Sequence, residues 1–176
     1  MKPTLKKKKS SLEEYHDFLS KKLIVSEPSG FQVNCKDLPD NLYDYQKDLT
    51  KWACARGKAA LFTMTGTGKT PMQVAWANCI CKETKGNVLI VAPLAVAKQT
   101  VRLSKNFGID VNYCRQPSQI KKGINITNYE MLGHFEDCKW AGIVLDESGI
   151  LKSYSGKTRN MIIEYCQTIP YRLACT

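Results

Sequence analysis

The run Val88-Leu89-Ile90-Val91-Ala92 contains no polar residue. Successive side chains of a strand point to opposite faces, so a strand without a polar position is buried on both sides. Parallel sheets covered above and below by helices meet that condition, whereas antiparallel sheets wetted on one side do not. Further strand-like stretches are AALFT at 59–63, VNYC at 111–114, INIT at 124–127, AGIVLD at 141–146 and YRLACT at 171–176. Between them, YDYQKDLTKWACARG, TPMQVAWANCICKETKG and LAVAKQTVRLSKNFG read as helices stopped by Gly57, Gly86 and Gly108. YEMLGHF at 129–135 reads as a short helix and GKTRNMIIEYCQTI at 156–169 as a longer one. This alternation predicts an α/β fold with a doubly wound parallel sheet and no internal repeat.

The chain has 176 residues, enough for one domain of ordinary size and too few for two. A basic block, Lys6 to Lys9, is followed by a short amphipathic segment in which Ser11 and Glu14 fit a capping box. Leu12, Tyr15, Phe18, Leu19 and Leu23 would share one face of that helix. SEPSGFQVN then reads as a linker, so residues 1–36 are expected to form a tail, a helix and a linker, and residues 37–176 the domain.

The 26 Lys and Arg against 16 Asp and Glu give a net charge of +10, which favours polyanionic partners such as nucleic acid. The eight cysteines include no CxxC pair, which disfavours zinc and fits reduced, buried thiols in a cytoplasmic compartment. The most apolar run, 88–97, is interrupted by Pro93 and is shorter than the ~20 residues of a membrane helix, so no membrane association is expected. Trp52, Trp76, Trp140 and most tyrosines fall at apolar-periodic positions and read as core. His16 and His134 have no partners at metal-ligand spacing.

Between the first strand and the second helix stands TMTGTGKT, 63–70. The phosphate-loop pattern requires Gly, four free positions, then Gly-Lys-Ser/Thr. Gly68, Lys69 and Thr70 supply its second half, and Thr63 stands where the first Gly would be, at a strand exit that tolerates a small residue. A strand before and a helix after make the context right. The backbone of Thr65, Gly66, Thr67 and Gly68 would curl its N–H groups inward, Lys69 would neutralise the outer phosphates, and Thr70 would bind Mg2+. GIVLDES at 142–148 delivers Asp146 to the carboxyl end of another apolar strand, where it would hold the metal. Glu147 would orient or deprotonate an attacking water.

Taken in order, these segments resemble the first RecA-like domain of superfamily 2 helicases, specifically Snf2-like translocases and their phage-type members. LYDYQ resembles the segment whose glutamine contacts adenine, which would be Gln46. VLIVAPLAVAKQTV and ITNYEML resemble the motifs that touch the nucleic-acid backbone, which implies Pro93, Leu94 and Lys98 on one side and Thr127, Asn128 and Tyr129 on the other. On the residues alone, Thr127 and Asn128 read equally as helix caps. LDESGILKSYSGKTRN resembles the motif that carries the metal carboxylate. Gly149 departs from it, because relatives place there a side chain that links the nucleotide site to the next motif. A solvated helix face is the plainer reading of Lys152, Lys157 and Arg159.

The resemblance implies ATP and Mg2+ as cofactors, nucleic acid, and DNA in particular, as partner, and a bacterial or phage-infected cell as setting. It also implies a second RecA-like domain that supplies arginine fingers, so the chain by itself is expected to bind ATP weakly and hydrolyse it slowly. An alternative from another class is a nucleic-acid-binding or regulatory module that keeps the fold without turnover. A small-molecule P-loop kinase would leave the Gln46 segment and TNYEML unexplained.

Overall fold

The computed structural model describes residues 27–152 and 156–176, with helical positions 12, 15, 16, 18 and 19 ahead of them. The capping box expected at Ser11 and Glu14, and Leu23, lie outside the described residues. The elements run α1 (Asp44–Arg56), β1 (Lys58–Leu61), α2 (Lys69–Thr84), β2 (Val88–Ala92), α3 (Leu94–Ser104), β3 (Val111–Tyr113), β4 (Ile124–Asn128), β5 (Gly142–Leu145), α4 (Gly156–Gln167) and β6 (Tyr171–Cys175). The six strands form one sheet in the order β1-β6-β5-β2-β4-β3, and every pairing is parallel. This is the doubly wound architecture that the unbroken apolar strands predict.

The strand VLIVA shows why. Val88, Ile90 and Ala92 pack toward α1, α2 and α3 with Trp76, Ile80 and Ala97, while Leu89 and Val91 pack on the other face with Phe135, Trp140 and Ile162. All five residues are buried. Two apolar layers therefore sandwich the sheet, and the central strands β2 and β5 contribute to both.

The short helix expected at 129–135 is present, as a 3-10 helix. Several local expectations are corrected. Helix α2 ends at Thr84, two residues before Gly86, with Lys85 in the left-handed region at φ 56° and its N–H bonded to the Cys81 carbonyl. Gly86 has a different job: a Cβ there would lie 2.7 Å from the Cβ of Ala141.

The packed body also begins before residue 37. Ser29, Gly30 and Phe31 donate backbone hydrogen bonds to the carbonyls of Arg56, Ala55 and Cys54, Phe31 meets the Tyr171 ring edge-on, and Val33 is buried.

Trp76 and Trp140 are core, but Trp52 is 47% exposed. Helix α1 buries Gln46, Thr50, Ala53 and Cys54, a stripe that Trp52 lies beside, and Trp52 borders an open groove with Ala60, Leu61 and Phe62 at the sheet edge. Tyr15, Tyr43 and Tyr45 are likewise exposed. No cysteine is paired, and Cys35 is the exposed one among them.

Candidate nucleotide and nucleic-acid site

Strand β1 hands the chain to the loop 62–68, and β6 anchors that loop from behind. Thr176 N–H donates to the Leu61 carbonyl and Thr63 N–H to the Thr176 carbonyl, both at 3.2 Å. Within the loop, the Thr67 hydroxyl donates to the Met64 carbonyl at 2.8 Å. Gly66 and Gly68 have φ of 83° and 78°. Both therefore adopt the left-handed conformation that favours glycine, and a Cβ on Gly68 would also fall 2.2 Å from Nε2 of Gln46. Lys69 then opens α2, whose first-turn N–H groups have no partners within the helix.

Helix α1 braces the loop from outside. The Tyr45 hydroxyl donates to the Thr67 carbonyl at 2.8 Å, and Gln46 Nε2 donates to the same oxygen at 3.1 Å. Gln46 Oε1 accepts the Tyr43 N–H at 3.0 Å. Both ends of the Gln46 amide are thus engaged within the protein, and its residue is 4% exposed. Its observed contacts hold the loop. Lys69 Nζ donates to the Thr63 carbonyl at 3.3 Å, which curls the side chain over the loop.

The loop and the acidic pair share one sheet edge. Gln73, one helical turn beyond Lys69 and Thr70, donates its Nε2 to Oδ1 of Asp146 at 2.5 Å, and both residues are buried. The Asp146 N–H donates to the Val91 carbonyl at 2.8 Å, continuing the β2–β5 ladder. Burial pushes the Asp146 carboxyl above the ordinary aspartate range; the Gln73 hydrogen bond and the positive charge of Lys69 act against this, and Glu147 adds to it. Glu147 is exposed and has φ 49°, an uncommon conformation outside glycine. At the end of β6, burial pushes the Cys175 thiol up to about 12, with Gln73, Asp146, Lys69 and Glu147 all within electrostatic reach.

A buried carboxylate that is held by one amide and faces a lysine-bearing helix start is chemically suited to a divalent cation bound to phosphate oxygens. The residues present fit Mg2+ and a nucleotide triphosphate. No group of three or more His, Cys, Asp or Glu that could hold a metal by itself occurs among the described residues.

The candidate nucleic-acid residues divide into two sets. Register pairs Ala92 with Asn128, so the ends of β4, β2 and β5 lie side by side. Pro93 precedes α3, Leu94 is 50% exposed and Lys98 is exposed one turn on. Thr127, Asn128 and Tyr129, by contrast, are buried. Asn128 makes no side-chain cap, which removes the capping reading for it; its amide donates to the Glu130 carboxylate, which lies below the usual carboxylate range as a result. Thr127 Oγ1 and Asn128 Oδ1 are buried without a hydrogen-bond partner. Tyr129 turns inward, and its hydroxyl donates to the backbone carbonyl of Asp146 at 2.7 Å. Lys152 and Arg159 are exposed, as expected of a solvated face.

Sequence reasoning missed Tyr45, Gln73 and the inward role of Tyr129. Gln73 carried a usable signal, since it stands four residues after Lys69 and three after Thr70, on the same helical face. Tyr45 and Tyr129 carried none, because an aromatic ring reads as core or as surface without revealing which carbonyl its hydroxyl will find.

No protein-family model matches the sequence, and a search of the curated proteins finds no match. Solved structures do match. The SWI2/SNF2 ATPase core of Sulfolobus solfataricus in complex with dsDNA is 24% identical with a TM-score of 0.66, over 83% of this chain and 34% of that one. The UvsW helicase from bacteriophage T4 is 16% identical with a TM-score of 0.64, over 96% of this chain and 60% of that one. The type ISP restriction-modification enzyme LlaGI, in complex with a DNA substrate mimic, is 17% identical with a TM-score of 0.57, over 78% of this chain and 17% of that one. The chain thus spans about a third of the first of these and three fifths of the second. The chain shares the fold of part of the SWI2/SNF2 ATPase core and of the UvsW helicase, an all-parallel six-stranded α/β sheet of RecA-like type.

Proposed function

We propose that the chain is the ATP-binding RecA-like domain of a Snf2-like DNA translocase or helicase, which works with a second such domain in cis or in trans. The observation that carries this reading is the 2.5 Å bond from Gln73 to Asp146, which joins the helix of the phosphate loop to the strand of the acidic pair. Lys69 neutralises the outer phosphates, the N–H groups of residues 65–70 cradle them, and Thr70 with Asp146 holds Mg2+. The metal, when bound, offsets the charge that builds on the transferred phosphoryl group. Glu147 orients the attacking water, and its exposure leaves it open to that water. Residues 93, 94 and 98 form the exposed nucleic-acid edge, gripping the backbone and reading no bases, with 127, 128 and 129 buried beside them.

The test is binding of a fluorescent ATP analogue, with and without Mg2+, to the chain and to Lys69→Ala. Wild type binds with Mg2+ dependence, and Lys69→Ala binds at least about tenfold more weakly, the equivalent of roughly 1.4 kcal/mol. Equal affinity of the two chains would remove the phosphate site from the proposal.

A further inference from the structure

Helices α1 and α2 pack against each other, and each carries a buried cysteine where they meet, Cys54 on α1 and Cys79 on α2. Both lie in the same apolar cluster. They are not bridged, and the Cys54 thiol donates a hydrogen bond to the Cys79 sulfur. Neither takes part in the nucleotide or nucleic-acid site described above.

The pair differs from the other buried thiols. Burial pushes Cys81, Cys114 and Cys166 up to about 11 and Cys175 up to about 12. The hydrogen bond from Cys54 instead draws Cys79 below the usual thiol value; Lys82 acts with it, and burial and Asp37 act against it. The same contact, with burial, pushes Cys54 up. One sulfur is thus disposed to carry the negative charge while its neighbour keeps the proton, and the thiolate is the form that attacks oxidants.

Cys79 also has an entrance. Together with Phe31, Val33, Asp37, Lys82 and Glu83 it lines an open cavity of about 180 Å3, which Cys54 does not reach. A water molecule takes up about 30 Å3 of the liquid, so the cavity has room for hydrogen peroxide.

We propose that Cys54 and Cys79 form a dithiol site for hydrogen peroxide, which oxidises them to a disulfide joining α1 to α2. The Cys79 sulfur attacks one peroxide oxygen: an S–O bond forms, the O–O bond breaks, and the departing hydroxide takes up the proton that Cys79 gave away. The Cys54 sulfur then attacks the sulfenic acid of Cys79: the S–S bond forms, the S–O bond breaks, and the second hydroxide leaves as water with the Cys54 proton. Two thiols are oxidised, and one peroxide is reduced to two waters. The bridge closes residues 54–79 into a ring that contains β1, the loop 62–68 and the start of α2. Tyr45 and Gln46, on the same helix as Cys54, already hold that loop at the Thr67 carbonyl. Oxidation therefore restrains the loop, whichever ligand the loop takes.

The test uses the Cys35→Ser chain, which lacks the exposed thiol. It is treated with hydrogen peroxide, blocked with N-ethylmaleimide under denaturing conditions, digested and read by mass spectrometry. The peptides linked through Cys54 and Cys79 appear at least about tenfold faster than oxidation of Cys81 or Cys138, which are more exposed than either, and dithiothreitol reverses the link. With Cys54→Ala added, Cys79 has no second thiol to resolve it, and dimedone traps its sulfenic acid; with Cys79→Ala added, dimedone labels no Cys54. The bridged chain melts at least about 5 °C above the reduced one, the gain expected from closing that ring.

Faster oxidation of Cys81 or Cys138, a dimedone label on Cys54 in Cys79→Ala, or a bridged chain that melts no higher than the reduced one would each overturn the proposal. Should an alanine variant fail to fold, the rate of bridging and the melt decide without it.

Discussion

Replacing Gln73 by Leu tests the junction between loop and acidic pair directly. The substitution keeps the side chain's bulk and removes the donor that faces Oδ1 of Asp146 at 2.5 Å. Asp146 is 4% exposed, so water cannot readily take the donor's place. A hydrogen bond to a charged group contributes about 1.5–3 kcal/mol, and in a chain of this size each kcal/mol moves Tm by about 2–4 °C. Gln73→Leu should therefore melt roughly 3–12 °C below wild type near neutral pH.

The pH dependence identifies the partner. The Gln73 bond favours the ionised carboxylate and so acts to lower the Asp146 pKa, against the larger upward push of burial. Its contribution is present in full where Asp146 is ionised and fades as pH falls through the folded-state pKa. Thermal melts followed by circular dichroism from about pH 8 down to about pH 4 should show the gap between the two chains narrowing. A gap of constant size across that range would mean that Gln73 stabilises the fold by packing alone and that the joint to the carboxylate is not what the geometry indicates.

Asp146→Asn should raise the Tm of the nucleotide-free chain by at least about 2 °C at neutral pH while weakening Mg-dependent nucleotide binding. Burial raises the folded-state pKa of Asp146, so its stabilising effect is greatest below the unfolded pKa and is lost as pH rises through the folded one. The advantage of Asn therefore shrinks on acidification, which melts at several pH values will read. Gly68→Ala places a side chain at φ 78° and against Gln46, at a cost of about 1–2 kcal/mol from conformation alone. Both Tm and affinity for the ATP analogue should fall, and affinity unchanged at a lowered Tm would argue that the loop does not hold phosphate.

The sheet was legible because its signal is redundant. A strand such as VLIVA, with no polar position, has few places to go except the middle of a parallel sheet, and the glycines and charges around it mark the helices. The loop 63–70 and Asp146 were legible by position, since each stands at the carboxyl end of a strand; AALFT reads as a buried strand, yet β1 lies at the sheet edge and is largely exposed. Trp52 was misread because α1 buries a stripe containing Gln46 and Thr50, polar residues that suggest a wet face, and leaves its tryptophan outside. Phe31 and Val33 were hidden in a stretch punctuated by Pro28 and Gly30. Gly30 looks like a linker residue, yet a Cβ there would lie 1.8 Å from the Cys54 carbonyl, so glycine permits the close approach of that segment to α1. The inward turn of Tyr129 depends on where β4 and β5 end relative to each other, a tertiary register that the order of residues along the chain does not display.

The position of β6 bears on how the protein is made. The last strand in sequence lies between the first strand and β5, so β1 touches the remainder of the sheet only through it. A nascent chain emerging from the ribosome can pair β2, β3, β4 and β5 while β1 still has no strand partner. Only when residues 171–176 arrive does the sheet extend from β5 to β1, the strand ahead of the lysine-bearing coil. In the order of synthesis, the strand that leads into the loop is the first of the six to be made and the last to find its pairing.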